Sequence, residues 1–211
     1  MKQLLTILIA VSLFSCKDES KVEEAVAQIP VEFKVERFDQ VFWGSKPEEL
    51  PSIKTKYPFF FPEGNPDSVW VNKLKNPLLK ELYQEVQMKY PKLGKIETDM
   101  EKLFAHVQYY FPKYKTPRVI TLINEVDTDG RVFYVDTLAL VSLDCYLGKD
   151  HCFYVDFPEF KIFEFVENQL LSILVSFIGL YSNIINDVEI SKAFQWIAFL
   201  IAIFIFYKSF L

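Results

Sequence analysis

Between residues 74 and 143 the spacing of apolar side chains changes from helical to strand-like, and that change constrains the fold more than any other feature of the chain. Leu74, Leu78, Leu79, Leu82, Tyr83, Val86 and Tyr90 fall on one stripe at helical spacing. Pro91 ends the pattern, because its ring clashes with the preceding turn. Thr98-Asp99-Met100-Glu101 reads as a capping box, in which hydroxyl and carboxylate each satisfy the other residue's backbone amide. Met100, Leu103, Phe104 and Val107 then carry the apolar face of a second helix toward Pro112. Beyond it come β-branched runs at 118–126 and 131–135, flanking Asp127-Thr128-Asp129-Gly130. These read as a hairpin with Gly130 in a left-handed turn, and 138–143 reads as a third strand. Helices followed by strands predict an α+β domain with a small antiparallel sheet.

The flanks are less regular. Val31, Phe33 and Val35 alternate with polar residues and predict a short strand running into a turn or helix start. The proline-rich stretch 46–67, with Tyr57, Phe59, Phe60 and Phe61 at its centre, reads as an irregular segment packed by aromatics. Residues 17–28 (KDESKVEEAVAQ) are charged and lack aromatics, so they read as a flexible tether. At the other end, 170–185 and 193–207 are almost wholly apolar. Their lengths are marginal for crossing a bilayer, which favours buried helices over a membrane hairpin. The 211 residues thus divide into 1–15, a tether at 16–28, a folded α+β domain at 29–160 and an apolar helical segment at 161–211.

Residues 1–15 read as a signal peptide. Lys2 supplies the positive end, 4–14 the short apolar stretch, and Leu13-Phe14-Ser15-Cys16 places a thiol just after a small residue. An ordinary cleavage site needs no cysteine, whereas lipidation needs a thiol to accept the diacylglycerol. Cys16 is therefore expected to be lipidated as the first residue of the mature chain, with the membrane as its partner. A net charge of −5 with no basic stripe argues against nucleic acid. Only Cys145 and Cys152 remain, too few for a disulfide framework, although in an oxidising compartment the two can pair if their loop folds back.

Residues with chemical potential are sparse. His106 and His151 belong to no His-Glu-x-x-His motif, and His106 reads as an ordinary helix residue. The stretch from Ser142 to Tyr154 gathers Asp144, Asp150, His151 and both thiols, yet the six-residue gap between the cysteines fits no common zinc spacing. It reads as a structural loop rather than a Cys-His or Cys-His-Cys site. Asp127-Thr128-Asp129-Gly130 opens like a calcium loop, but the later ligands do not follow, so it reads as a turn. With no phosphate loop and no G-x-S-x-G elbow, no catalytic residue, metal ligand or cofactor is assigned, and the chain does not read as an enzyme.

Three features together resemble the gliding motility lipoprotein GldB family of the Bacteroidetes. They are the lipobox, the opening Val35-Glu36-Arg37-Phe38-Asp39, and the block running from Asp136-Thr137-Leu138 through Ser142-Leu143-Asp144, Tyr146-Leu147-Gly148-Lys149-Asp150-His151 and Phe153-Tyr154. Phe157-Pro158-Glu159-Phe160 also fits, so the resemblance covers roughly residues 1 to 160. It implies a non-catalytic envelope component of gliding and associated protein secretion, with other gliding or secretion envelope proteins as partners. It also implies a fold similar to half of a zinc-peptidase-like domain, without the metal motif. The runner-up is a lipoprotein hydrolase of zinc-peptidase descent. Lys17-Asp18-Glu19 resembles the export signal of Bacteroidetes lipoproteins, which predicts the outer membrane with surface display, although a solvated linker has the same composition. Family chains continue in a charged helical half, whereas 161–211 is apolar, so this segment reads as an incomplete continuation left by truncation, divergence or frameshift.

Overall fold

The computed structural model describes residues 16–135, 137–162 and 167–181. Four strands form one sheet: β1 (Val35–Arg37), β2 (Arg118–Leu122), β3 (Val132–Val135) and β4 (Leu138–Ser142), in the order β1-β2-β4-β3. β2 is parallel to both of its neighbours, and only β3 runs antiparallel, against β4. The sheet is therefore mixed rather than antiparallel, and the hairpin joins β3 to β4 instead of β2 to β3.

The physical reason lies in residues 123–131, which cross the end of β4. The Ser142 N–H donates to the Arg131 carbonyl at 2.9 Å and its hydroxyl donates to the Gly130 carbonyl at 2.7 Å. Just beyond β4, the Asp144 carboxylate accepts from the N–H groups of Asn124, at 3.1 Å, and Val126, at 2.7 Å. Pinned there, the chain emerges on the far side of β4 before starting β3. Left-handed backbone is needed along this crossing, but not at Gly130; it falls on Glu125 and Val126, each at φ 57°. Position 130 is tight for another reason, since a Cβ there would stand 2.5 Å from Asn124 Nδ2 and the Asn124 amide would have to shift.

Eight α-helices surround the sheet among the described residues: α1 (Cys16–Val26), α2 (Phe38–Trp43), α3 (Leu50–Lys56), α4 (Asp67–Lys75), α5 (Pro77–Lys89), α6 (Gly94–Tyr110), α7 (Glu159–Ile162) and α8 (Glu167–Tyr181). The stripe from Leu74 to Tyr90 is thus two helices. Asn76 separates them, its Oδ1 accepting from Leu78 N at 2.9 Å and Leu79 N at 3.4 Å, while Pro77 sits where a helix has no use for an N–H. The capping box is not formed either. α6 begins at Gly94, and the Thr98 hydroxyl donates to the Gly94 carbonyl at 2.8 Å from inside the helix. Within the proline-rich stretch, α3 is helical because Pro51 lies in its first turn, where a missing amide costs no bond.

Residues read as a tether form most of α1. Their composition is charged, but Val22 and Val26 lie one turn apart and turn inward, Val26 being buried. Glu23 Oε1 stands 3.1 Å from His106 Nε2 of α6, which ties the two helices together.

Both faces are covered along β1, β2 and β4, as parallel strands require, while antiparallel β3 leaves Phe133 and Val135 exposed on one face. On one face Val119, Ala139, Val141, Val132 and Tyr134 pack with Leu82 and Val86 of α5, Met100 and Phe104 of α6, and Leu170, Leu174 and Ile178 of α8. The other face carries Ile120 beneath Phe38 and Phe42 of α2, Leu50 and Ile53 of α3, and Leu74 of α4. Aromatics join that second layer: Phe38 stacks on Phe60 at 4.2 Å and meets the Tyr57 ring edge-on at 5.0 Å. Each of the three α8 side chains contributes roughly 1.5–3 kcal/mol by full burial, so α8 belongs to the core. The remainder of the apolar tail, 182–211, lies outside the described residues. Among the described residues no helix is long and apolar enough to cross a membrane.

Candidate functional site

β1 runs straight into α2, so Arg37 ends the strand and Asp39 lies in the first turn of the helix, two residues on. The guanidinium grips the carboxylate with two nitrogens, Nε at 2.9 Å from Oδ1 and Nη2 at 2.7 Å from Oδ2. Gln87 of α5 donates to Oδ2 at 3.0 Å, Thr121 of β2 donates to Oδ1 at 2.5 Å, and Gln40 donates to Gln87 Oε1 at 2.7 Å. Asp39 itself is 0% exposed, so every hydrogen bond it accepts comes from the protein. Beside it, Arg118 of β2 donates to Glu36 at 2.5 Å, and this contact holds the Glu36 carboxyl below its ordinary range. The motif Val35-Glu36-Arg37-Phe38-Asp39 therefore fastens β1 to β2 and α5.

The second block is the loop after β4. Its first turn, Leu143–Cys145, buries Asp144 completely, with 0% exposure. Burial pushes that carboxyl up to about 6, against the pull of the Val126 and Asn124 amides. Tyr154 closes the loop on itself: its hydroxyl donates to the Asp144 carbonyl at 2.5 Å and accepts from Leu147 N at 2.9 Å. Gly148 supplies a bend at φ 117°, which side chains rarely tolerate. The short turn Cys152–Tyr154 follows, with His151 at its head. His151 Nδ1 accepts from Phe153 N at 3.4 Å, Nε2 lies 3.2 Å from Glu85 Oε2 of α5, and the Cys152 Sγ is 3.9 Å from Nδ1.

The two blocks meet at Tyr90, which follows α5. Its carbonyl accepts from Arg37 Nη2 at 3.1 Å, and its hydroxyl donates to the Tyr146 carbonyl at 2.5 Å. Burial raises the Tyr90 and Tyr154 hydroxyls out of titration range, which keeps both donors protonated. Of these partners, sequence reading singled out neither Glu85 nor Gln87. They lie beside the apolar stripe of α5, half-buried, in positions that read as ordinary helix surface.

The residues singled out from sequence separate into different places. Cys16 opens α1. Both Cys145 and Cys152 are free thiols: Cys145 is buried, its Sγ 3.5 Å from the Asp127 carbonyl, and Cys152 is exposed. Burial, then the charge of Asp144, pushes the Cys145 thiol up. Asp127 accepts from Asp129 N at 3.0 Å, making a small Asx turn. Among the described residues no group of three or more His, Cys, Asp or Glu side chains is placed to hold a metal ion.

Comparison with curated proteins and with solved structures found no match. The family model described as Gliding motility protein GldB matches residues 19–189, further along the chain than the resemblance read from its motifs, and α8 lies within that match. With most of its length covered, both buried networks included, the chain belongs to the GldB gliding motility family.

Proposed function

We propose that this protein is a lipid-anchored, non-catalytic component of the gliding motility machinery and its associated protein secretion, held at the outer membrane through Cys16. The observation that carries the reading is the family match over residues 19–189, taken with the lipobox ending at Cys16. The polar residues of the two motif blocks support a structural role. Asp39 and Asp144 have no solvent exposure, and their oxygens accept from Arg37, Gln87, Thr121 and backbone amides, so these blocks hold the fold together instead of facing a substrate. α1 starts at Cys16 itself and docks on α6, so a lipid on that cysteine holds the domain close to the bilayer. The surface then remains for other gliding or secretion envelope proteins. We read the fold as kin to half of a zinc-peptidase domain that lacks the metal motif; stoichiometric zinc together with peptide cleavage by the purified protein would favour the hydrolase reading instead.

The test is genetic and chemical. Palmitate should label the wild-type chain and not Cys16→Ser, which should leave the membrane fraction; label retained by the variant would remove the anchor from the reading. A null strain should fail to glide, and a null strain that still glides overturns the motility assignment.

A further inference from the structure

The two histidines of the chain meet opposite surroundings. At His151 the Phe153 amide donates to Nδ1 while Nε2 faces the Glu85 carboxylate, so a neutral ring with its hydrogen on Nε2 satisfies both. At His106 both neighbours only accept. Nδ1 lies 2.8 Å from the Lys102 carbonyl, one turn back in α6, and Nε2 lies 3.1 Å from Glu23 Oε1 of α1. A neutral imidazole carries one hydrogen and serves only one of them, whereas the imidazolium donates to both. Once the proton leaves, one bare nitrogen faces an acceptor. The Glu23 side chain is 67% exposed and can turn to water, but the Lys102 carbonyl is fixed backbone, so the contact that gives way is the one between the helices.

Among the described residues no other charged group pairs with the ring. Lys21 and Glu24 of α1, Glu101 and Lys102 of α6, and Glu32 and Lys34 on either side of Phe33 are exposed, and Glu167 of α8 meets α6 at Lys95 instead. The remaining hold on α1 is slight, since Val26 is the one buried side chain in 21–26. We propose that His106 and Glu23 form a pH-operated clasp, which docks α1 on α6 while the imidazole is protonated and releases it as the proton leaves. Imidazoles shed their charge between about pH 5 and 8, so the clasp is closed on the acid side of that range and open on the alkaline side. Its consequence, though not the clasp itself, rests on the lipid-anchor reading. α1 starts at Cys16 and has 11 residues, too short for a stable helix in water once released. Unwound, it lengthens the tether from roughly 16 Å to as much as about 36 Å, and the domain stands farther from the bilayer.

The experiment follows amide hydrogen exchange of the full chain in detergent at about pH 5.5 and about pH 8, either side of imidazole titration, with each rate divided by the intrinsic rate at that pH. Protection across 21–27 should be about two- to fivefold greater at the acid value, which is what one exposed ion pair supplies. In His106→Gln, which keeps every other titrating group, that difference should vanish. Glu23→Gln is the sharper variant. Its amide can donate to the bare Nε2, so α1 should be held at the alkaline value at least as firmly as in the wild type, an outcome that simple loss of a contact does not give. Cys16→Ser should exchange like the wild type, whereas palmitate labelling tests the anchor, so the two readings fail separately. Equal protection at both pH values in the wild type overturns the proposal. So does a difference that survives in His106→Gln, or a Glu23→Gln chain that releases α1 more than the wild type does in alkali. Should either substitution unfold the domain, seen as lost protection across β2, the other decides.

Discussion

Two carboxylates are wholly buried among the described residues, and opposite means keep them there. Asp39 is neutralised by a side-chain cation, the bidentate Arg37, and shares its remaining capacity with Gln87 and Thr121, 48 and 82 residues away in sequence. Asp144 has no ion pair with a described residue. It accepts from the backbone amides of Asn124 and Val126, which the left-handed backbone at Glu125 and Val126 turns toward the same carboxylate. A paired charge can join distant elements because both partners reach; a charge held by amides must shape the backbone that supplies them. The first corner therefore clamps β1, β2 and α5 together, and the second directs the crossing that sets the strand order.

The comparison breaks most readily at Asp39. Asp39→Ala strands a part-buried guanidinium, and removing one partner of a buried pair costs about 3–5 kcal/mol, so urea unfolding should show the largest loss there. A loss near zero would mean that Arg37 finds solvent easily, and the corner would not be a clamp.

Asp144 should differ in its pH dependence. Burial raises its carboxyl from 3.8 to about 6, so the folded chain holds a proton that the unfolded chain releases between those values. Since the folded value lies above the unfolded one, this contribution is fully present below about pH 4 and is lost as pH rises through about 6, amounting to ~3 kcal/mol. Denaturation midpoints measured across that window should fall with rising pH in the wild type, and Asp144→Asn should flatten that part of the profile. An unchanged slope in the variant would assign the titration elsewhere.

The smallest effect sharpens the account of the loop. Glu125 is exposed and held at φ 57°, a backbone region that costs an L side chain about 1–2 kcal/mol. Glycine removes that cost while losing its own chain entropy and the surface pair with Lys73, so Glu125→Gly should raise stability by about 0.5–1 kcal/mol. A destabilised variant would show that the Lys73 contact matters more than the backbone strain.

Much of the secondary structure was legible because it rests on local signals. The period of the apolar residues located α5, α6 and the strands, and Pro91 marked the end of the stripe. The break at Asn76 was also locally encoded, since an Asn-Pro pair caps and opens a helix, but an uninterrupted apolar stripe concealed it. In α1 composition concealed a different pattern, two valines one turn apart.

By itself the sequence determined the α+β class, the family and the positions of its motif residues, because those depend on the order and spacing of residues along the chain. Tertiary structure alone decided that β4 pairs with β2 as well as β3, that Glu85 and Gln87 serve the two motif blocks, and that Cys152 faces His151 while Cys145 is buried. Each of those outcomes turns on contacts between distant segments or on burial, such as Asp144 with Val126 across 18 residues and Thr121 with Asp39 across 82. A buried polar group must find partners wherever the folded chain brings them, and hydrophobic periodicity, which reports only which face of an element is apolar, does not identify those partners.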